Sequence, residues 1–198
     1  MNIHSRYWLW PLWGLLIWLH GCASRPPGLE TLVNDRPRFV VEHSDSLVQA
    51  YADQDSAAPW IARACVTVAD SIARVNPRSD QALTFYQRAH SLDPDNRDAS
   101  YGIWMIRGRQ FYKKGGNDDL WDGIQAFATA ARFRPQSGMP VLWMARSYLK
   151  KDDDDFELIL ETYRKALNLS LPDSLRATAE QELREVERRK KVLDDFWK

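Results

Sequence analysis

The residues of this chain from which a reaction or a metal site could be built are two cysteines, four histidines, a run of four aspartates and one Gly-Gly pair. His4, His20, His43 and His90 fall in no metal or catalytic spacing such as H-E-x-x-H. His90, between Ala89 and Ser91, reads as a surface or half-buried helical histidine. Gly115-Gly116 lacks the Gly-Lys-Ser/Thr ending of a phosphate loop, and no Gly-x-Ser-x-Gly elbow is present. Asp152 to Asp155 could suggest calcium, yet a calcium loop counted from Asp152 would need Gly at its sixth place and Glu at its twelfth, where Glu157 and Tyr163 stand. Carboxylates at the start of a helix are instead explained by the positive end of its dipole. Cys65 lies among Ala64, Val66 and Val68 and reads as a small core residue. No catalytic residue, metal ligand or cofactor is therefore expected, and the chain reads as a binding protein rather than an enzyme.

Cys22 is different, because of what precedes it. Arg6 and the amino terminus make a positive start, and Tyr7 to Leu19 is an unbroken hydrophobic run of 13 residues that contains Pro11. A membrane span needs about 20 apolar residues, so the run fits a cleaved signal peptide instead. Its ending, Leu19-His20-Gly21-Cys22, resembles a bacterial lipoprotein signal. The resemblance implies removal of residues 1–21 and acylation of the Cys22 thiol by fatty acid such as palmitate. Ala23, standing where Asp would signal inner-membrane retention, implies the outer membrane, with the protein facing the periplasm. Cys65 is then left with no disulfide partner.

Composition bounds the rest. Lys+Arg and Asp+Glu each number 27, so no net field draws the protein to nucleic acid. With 44% hydrophobic residues in 198, the chain can bury one core and carry extensions. Residues 22–43 contain Arg25-Pro26-Pro27-Gly28 and Asp35-Arg36-Pro37-Arg38, which predict a flexible, lipid-anchored tether, with Phe39-Val40-Val41 able to dock in extended form.

From residue 44 to 198 the apolar residues recur three and four apart, the period of helices packed on one side. Ser44 starts a short helix; Ser56–Asn76, with Pro59 in its first turn, and Ser79–Leu92 follow. Asn96 caps a helix to about Lys114, Asn117 caps the next, and two more begin near Gly138 and after Asp155. Pro172 or Asp173 opens a last helix to about Phe196, with Leu175, Ala179, Leu183, Val186 and Leu193 as its stripe. Glu180 with Arg184, Glu185 with Arg189, and Glu187 with Lys191 stand four apart in the favoured order.

Small and aromatic residues repeat through this region: Ala82, Tyr86 and Ala89, then Gly123, Phe127 and Ala130, with Pro94 and Pro135 closing the two units 41 residues apart. The pattern resembles the tetratricopeptide repeat (TPR), whose period is about 34 residues; the surplus falls around Lys113 to Asp118. Met144, Ala145 and Tyr148, then Ile159, Tyr163 and Ala166, resemble a third unit. The resemblance implies an all-α, right-handed α-solenoid of about three TPR-like helix pairs, with the last helix as cap. In that family the first helix of each pair lines a concave groove. Carried over, this places Tyr101, Met105 and Arg109, then Leu142, Trp143, Arg146 and Lys150, in a partner-binding groove. Aromatic and Arg side chains are the types that dominate interface energies. The expected role is a non-enzymatic periplasmic adaptor that holds another envelope protein or peptide segment, in secretion, pilus or outer-membrane assembly. The alternative is a small-ligand-binding helical lipoprotein of an uptake system.

Overall fold

The computed structural model describes residues 28–51, 57–151 and 155–197. The signal peptide, Cys22 and the first part of the tether lie outside the described residues, as do Asp152 to Asp154. The described chain is all-α, with ten helices: α1 (Leu29–Asp35), α2 (Pro37–Glu42), α3 (Ser44–Ala50), α4 (Ala57–Val75), α5 (Asp80–Leu92), α6 (Arg97–Lys114), α7 (Asn117–Phe133), α8 (Gly138–Lys151), α9 (Phe156–Leu167) and α10 (Asp173–Phe196).

The amino-terminal part differs from the expected tether. Residues 29–42 are two short helices docked on α4. Pro37 stands at the start of α2, where a backbone N–H would have no helical acceptor and its absence costs nothing. Leu29 and Val33 on α1, and Val40 and Val41 on α2, are buried against the core that α4 provides. Helices of six or seven residues do not persist alone in water, so this burial is what holds them.

The remaining helices follow the expected boundaries closely, for reasons visible at their ends. Ser79 accepts from the Ala82 amide at 3.3 Å and starts α5; Asn96 accepts from the Ala99 amide at 3.0 Å and starts α6. Gly115 ends α6 in the left-handed conformation, φ 79°, which a side chain would strain. Gly116, not Asn117, is the residue before α7, and no side chain caps that helix. Asp155 accepts from the Leu158 amide at 3.3 Å, so the last of the four aspartates caps α9.

Each helix from α4 to α10 packs on the next in sequence, and α4, α6 and α8 also touch in turn. The recurring triads are buried alike: Ala82, Tyr86 and Ala89 on α5; Gly123, Phe127 and Ala130 on α7; Ile159, Tyr163 and Ala166 on α9. Small residues at both ends of the first two triads, and Ala166 at one end of the third, let the neighbouring backbone approach the aromatic ring. The loop before α8 is pinned to the loop before α10 through Ser170, whose amide donates to Gln136 O at 2.9 Å and whose carbonyl accepts from the Gly138 amide at 2.8 Å. On α10, Glu187 pairs with Arg164 of α9 at 2.9 Å instead of Lys191, and Glu185 with Arg188 at 2.7 Å. A carboxylate within reach of a neighbouring helix gains a tertiary contact that local spacing cannot foresee.

Candidate binding face on α6 and α8

Trp143 is the hub of the face. Positioned by α8, its ring stacks on Phe127 of α7, centroids 5.9 Å apart, and meets the edge of Tyr112 of α6 at 5.1 Å. Two guanidinium groups lie over it, Arg109 at 5.5 Å and Arg146 at 5.1 Å from its centroid. The row continues on both sides. Lys150 Nζ stands 4.6 Å from the Tyr112 ring, and Arg134 lies over Tyr101 at 4.2 Å. Cations over aromatic faces are attracted by the ring quadrupole, and this holds long side chains in place.

The charges along the row are not equivalent. Arg146 makes a two-pronged pair with Glu182 of α10, both contacts at 2.9 Å, and the Tyr163 hydroxyl donates to the same carboxylate at 3.1 Å. Burial, then the Glu182 charge, pushes the Tyr163 hydroxyl well above its ordinary pKa. Glu182 thus ties α8, α9 and α10 together. Arg134 pairs with Asp98 at 2.8 and 3.0 Å. Tyr86 donates to Asp70 of α4, and burial with that bond raises its pKa strongly. Lys150 donates to the Tyr112 carbonyl at 2.9 Å, so its charge sits against the negative end of α6. Arg109 stands apart. Its Nε is buried without a hydrogen-bond acceptor, and desolvation holds its guanidinium below the ordinary arginine pKa, with no carboxylate among the charges acting on it.

Of the residues that the tetratricopeptide resemblance implies for the groove, Tyr101, Arg109, Trp143, Arg146 and Lys150 lie along one face. Met105 and Leu142 do not present themselves there. Leu142 is 0% exposed and belongs to the core with Ala145 and Ile159. One residue turns a helix by about 100°, and the outward row on α8 runs through Trp143, Arg146 and Lys150, which leaves Leu142 turned inward. Met105, 3% exposed, forms the floor beneath Tyr101 and Trp143. A partner does not reach Leu142 without displacing other side chains, whereas Met105 is met only at the bottom of a cavity.

Two cavities open along the face. One, of about 310 Å³, is bordered by Asp70, Tyr86, Tyr101, Met105, Arg109 and Arg134. The other, of about 500 Å³, is bordered by Tyr112, Trp143, Arg146, Lys150, Tyr163 and Glu182. Asp70, Tyr86, Tyr112, Arg134 and Glu182 were not foreseen as parts of this face. Arg134 follows the end of α7 and so belongs to no helical stripe, and Glu182 lies 36 residues from the arginine it meets. Only the chain's folding places them there.

The residues weighed for chemistry lie elsewhere. Cys65 is a free, fully buried thiol on α4 whose pKa is raised by burial. His90 lies 3.4 Å from the Ser100 hydroxyl, at the α5–α6 contact. Among the described residues no three His, Cys, Asp or Glu side chains are gathered to hold a metal, and no helix is long and apolar enough to cross a membrane. No family model and no curated protein matches the chain.

Proposed function

We propose that this protein is a non-enzymatic adaptor that holds a segment of another envelope protein against the face formed by α6 and α8. The observation that carries this reading is the unbroken row of half-buried rings and cations, Tyr101, Arg134, Arg109, Trp143 and Arg146, along the contact between two helices. Such groups present large, rigid, partly desolvated area, which is what binding hot spots require. The wider reading is a solenoid of three TPR-like helix pairs, α4–α5, α6–α7 and α8–α9, with α10 as cap. It is supported by the equivalent burial of the three triads and by the successive contacts of α4, α6 and α8. In the same reading Cys22 carries the lipid, and the domain works at the periplasmic side of the outer membrane.

The test is site-specific photo-crosslinking in a cell envelope, with p-benzoylphenylalanine in place of Tyr101 and, separately, of Trp121, which is 49% exposed on α7. One envelope protein captured from position 101 and absent from position 121 is the expected result. Capture from position 121 alone would put the binding surface on the other side. Crosslinking is preferable to replacing Trp143 and Arg146 by Ala, because that pair of changes also uncovers Phe127 and leaves Glu182 without its cation.

The alternative, a small-ligand receptor, finds its support in a cavity of about 480 Å³ between α7, α8 and α9, bordered by Ala131, Val141, Met144, Tyr148, Leu158 and Leu169. A small apolar molecule bound there would leave the α6–α8 row without a role.

A further inference from the structure

Arg109 is an arginine held in a position that the free protein does not satisfy. Its Nε is buried with no acceptor, its aromatic neighbour Trp143 supplies only a ring face, and Arg146, another cation, acts on it. Buried polar groups are nearly always paired, and a buried donor without an acceptor weakens the fold that contains it. An isosteric apolar residue would fill the same space between α6 and α8 without that penalty. Arg109 also borders the cavity of about 310 Å³ that opens along this face.

The surroundings select the charge of that group. Arg74 and Arg134 border the same cavity, and Arg74 is in no ion pair among the described residues. Asp70 is the single carboxylate in the lining, and it is engaged by the Tyr86 hydroxyl. Arg134 is already paired with Asp98, which leaves Arg109 and Arg74 against Asp70; two cations against one anion favour a negatively charged ligand, while the Asp70 charge disfavours a dianion such as phosphate. A planar guanidinium flanked by aromatic rings matches a planar carboxylate with apolar atoms beside it.

We propose that this cavity takes the side-chain carboxylate of an Asp or Glu in an acidic peptide segment of the partner, seated on Arg109 with Arg74 and Arg134 at its rim. The inference rests on the reading of the α6–α8 face as the binding surface and adds to it the chemistry of the partner. The incoming carboxylate supplies the acceptor that the protein lacks, and the affinity falls with salt because the rim cations are exposed to solvent.

The test uses the whole lipid-free chain and two fluorescein-labelled decapeptides of alternating Glu and Leu or alternating Gln and Leu. Both are amidated at the carboxyl terminus and carry the same dye, so that they differ only in their side-chain carboxylates. Anisotropy at low salt should show the Glu peptide bound at least about tenfold more tightly than the Gln peptide, the size expected of one charge-assisted bond. Arg109→Gln should abolish that difference. Arg109→Met should abolish it too while leaving the melting temperature unchanged or higher, which separates lost binding from lost folding. In the wild type the Arg109 Nε–Hε resonance should shift on addition of the Glu peptide. The proposal is overturned if the wild type does not bind the Glu peptide, if it binds both peptides equally, or if Arg109→Gln keeps the preference. Capture of a partner from position 101 together with equal binding of the two peptides would leave the adaptor reading standing and remove the carboxylate from it.

Discussion

Gly108 offers a test in which two ordinary effects have opposite signs. It lies inside α6, where replacing Gly by Ala favours an exposed helix by about 1 kcal/mol. Gly108 is buried, however, and a Cβ there would stand 2.5 Å from Phe127 Cε1, 2.7 Å from Cδ1 and 2.8 Å from Cζ. Ordinary carbon contacts begin at about 3.5 Å, so the ring must give way by about 1 Å. It has little room to do so, being 0% exposed and stacked on Trp143. Overpacking of this kind costs about 1–3 kcal/mol. Set against the helix gain, Gly108→Ala should destabilise the protein by up to about 2 kcal/mol, a fall in melting temperature of up to about 8 °C for a chain of this size. Thermal and urea melts followed by circular dichroism at 222 nm would measure it, a wavelength at which helix content is read (about 222 nm). In a Phe127→Leu background the smaller side chain leaves space for the new methyl group, and the same substitution should become neutral or stabilising. A stabilised Gly108→Ala in the wild-type background would show that α6 and α7 do not approach one another as described, and would refute the reasoning.

Two further outcomes follow from single groups. The Tyr86 and Tyr163 hydroxyls have folded pKa values raised above the ordinary tyrosine value, by burial first and then by Asp70 and Glu182. Above about pH 10 the unfolded chain loses protons that the folded chain keeps, so stability is full below that pH and falls as pH rises through it. Urea midpoints between neutral pH and pH 11 should therefore drop, and less steeply when both residues are replaced by Phe; equal slopes would contradict the burial of these hydroxyls. Cys22→Ser should release the protein from the membrane fraction or leave an uncleaved precursor, and an intact wild-type chain with unmodified Cys22 by mass spectrometry would refute the lipid anchor.

Most of the helical architecture could be read from the sequence because its signals are local. Ser79 and Asn96 each cap the helix they precede, and Gly115 permits the left-handed turn that ends α6. Spacing alone also puts Tyr86 and Phe127 between small residues and Tyr163 between Ile159 and Ala166, and all three rings are buried. Residues 29–42 depart from the expected tether because proline breaks a helix only inside it, not at its first position. Pro37 begins a helix, and the apolar residues around it, Val33, Val40 and Val41, are explained by α4, which lies far off in sequence. Leu142 departs from the expected groove for a related reason. It and its neighbour Trp143 cannot both face the groove, because the turn of about 100° between Leu142 and Trp143 sends Leu142 to the core.

The binding face shows where local signals stop. Residue types along α6 and α8 are visible in the sequence, but which cations are neutralised depends on carboxylates delivered by other helices. Equal totals of Lys+Arg and Asp+Glu, 27 each, give no hint that pairing is uneven. In the fold Asp98 reaches Arg134, and Glu182 reaches Arg146 while also accepting from Tyr163. Asp70, the remaining carboxylate of the face, is held by Tyr86. Arg109, between these pairs and beneath solvent, is left with a tryptophan ring and a second arginine. A charge-balanced chain therefore keeps one half-buried cation open to an acceptor from outside. That asymmetry arises from helix order alone, since moving Glu182 by one residue would turn it about 100° away from Arg146 and leave two unpaired guanidinium groups on Trp143.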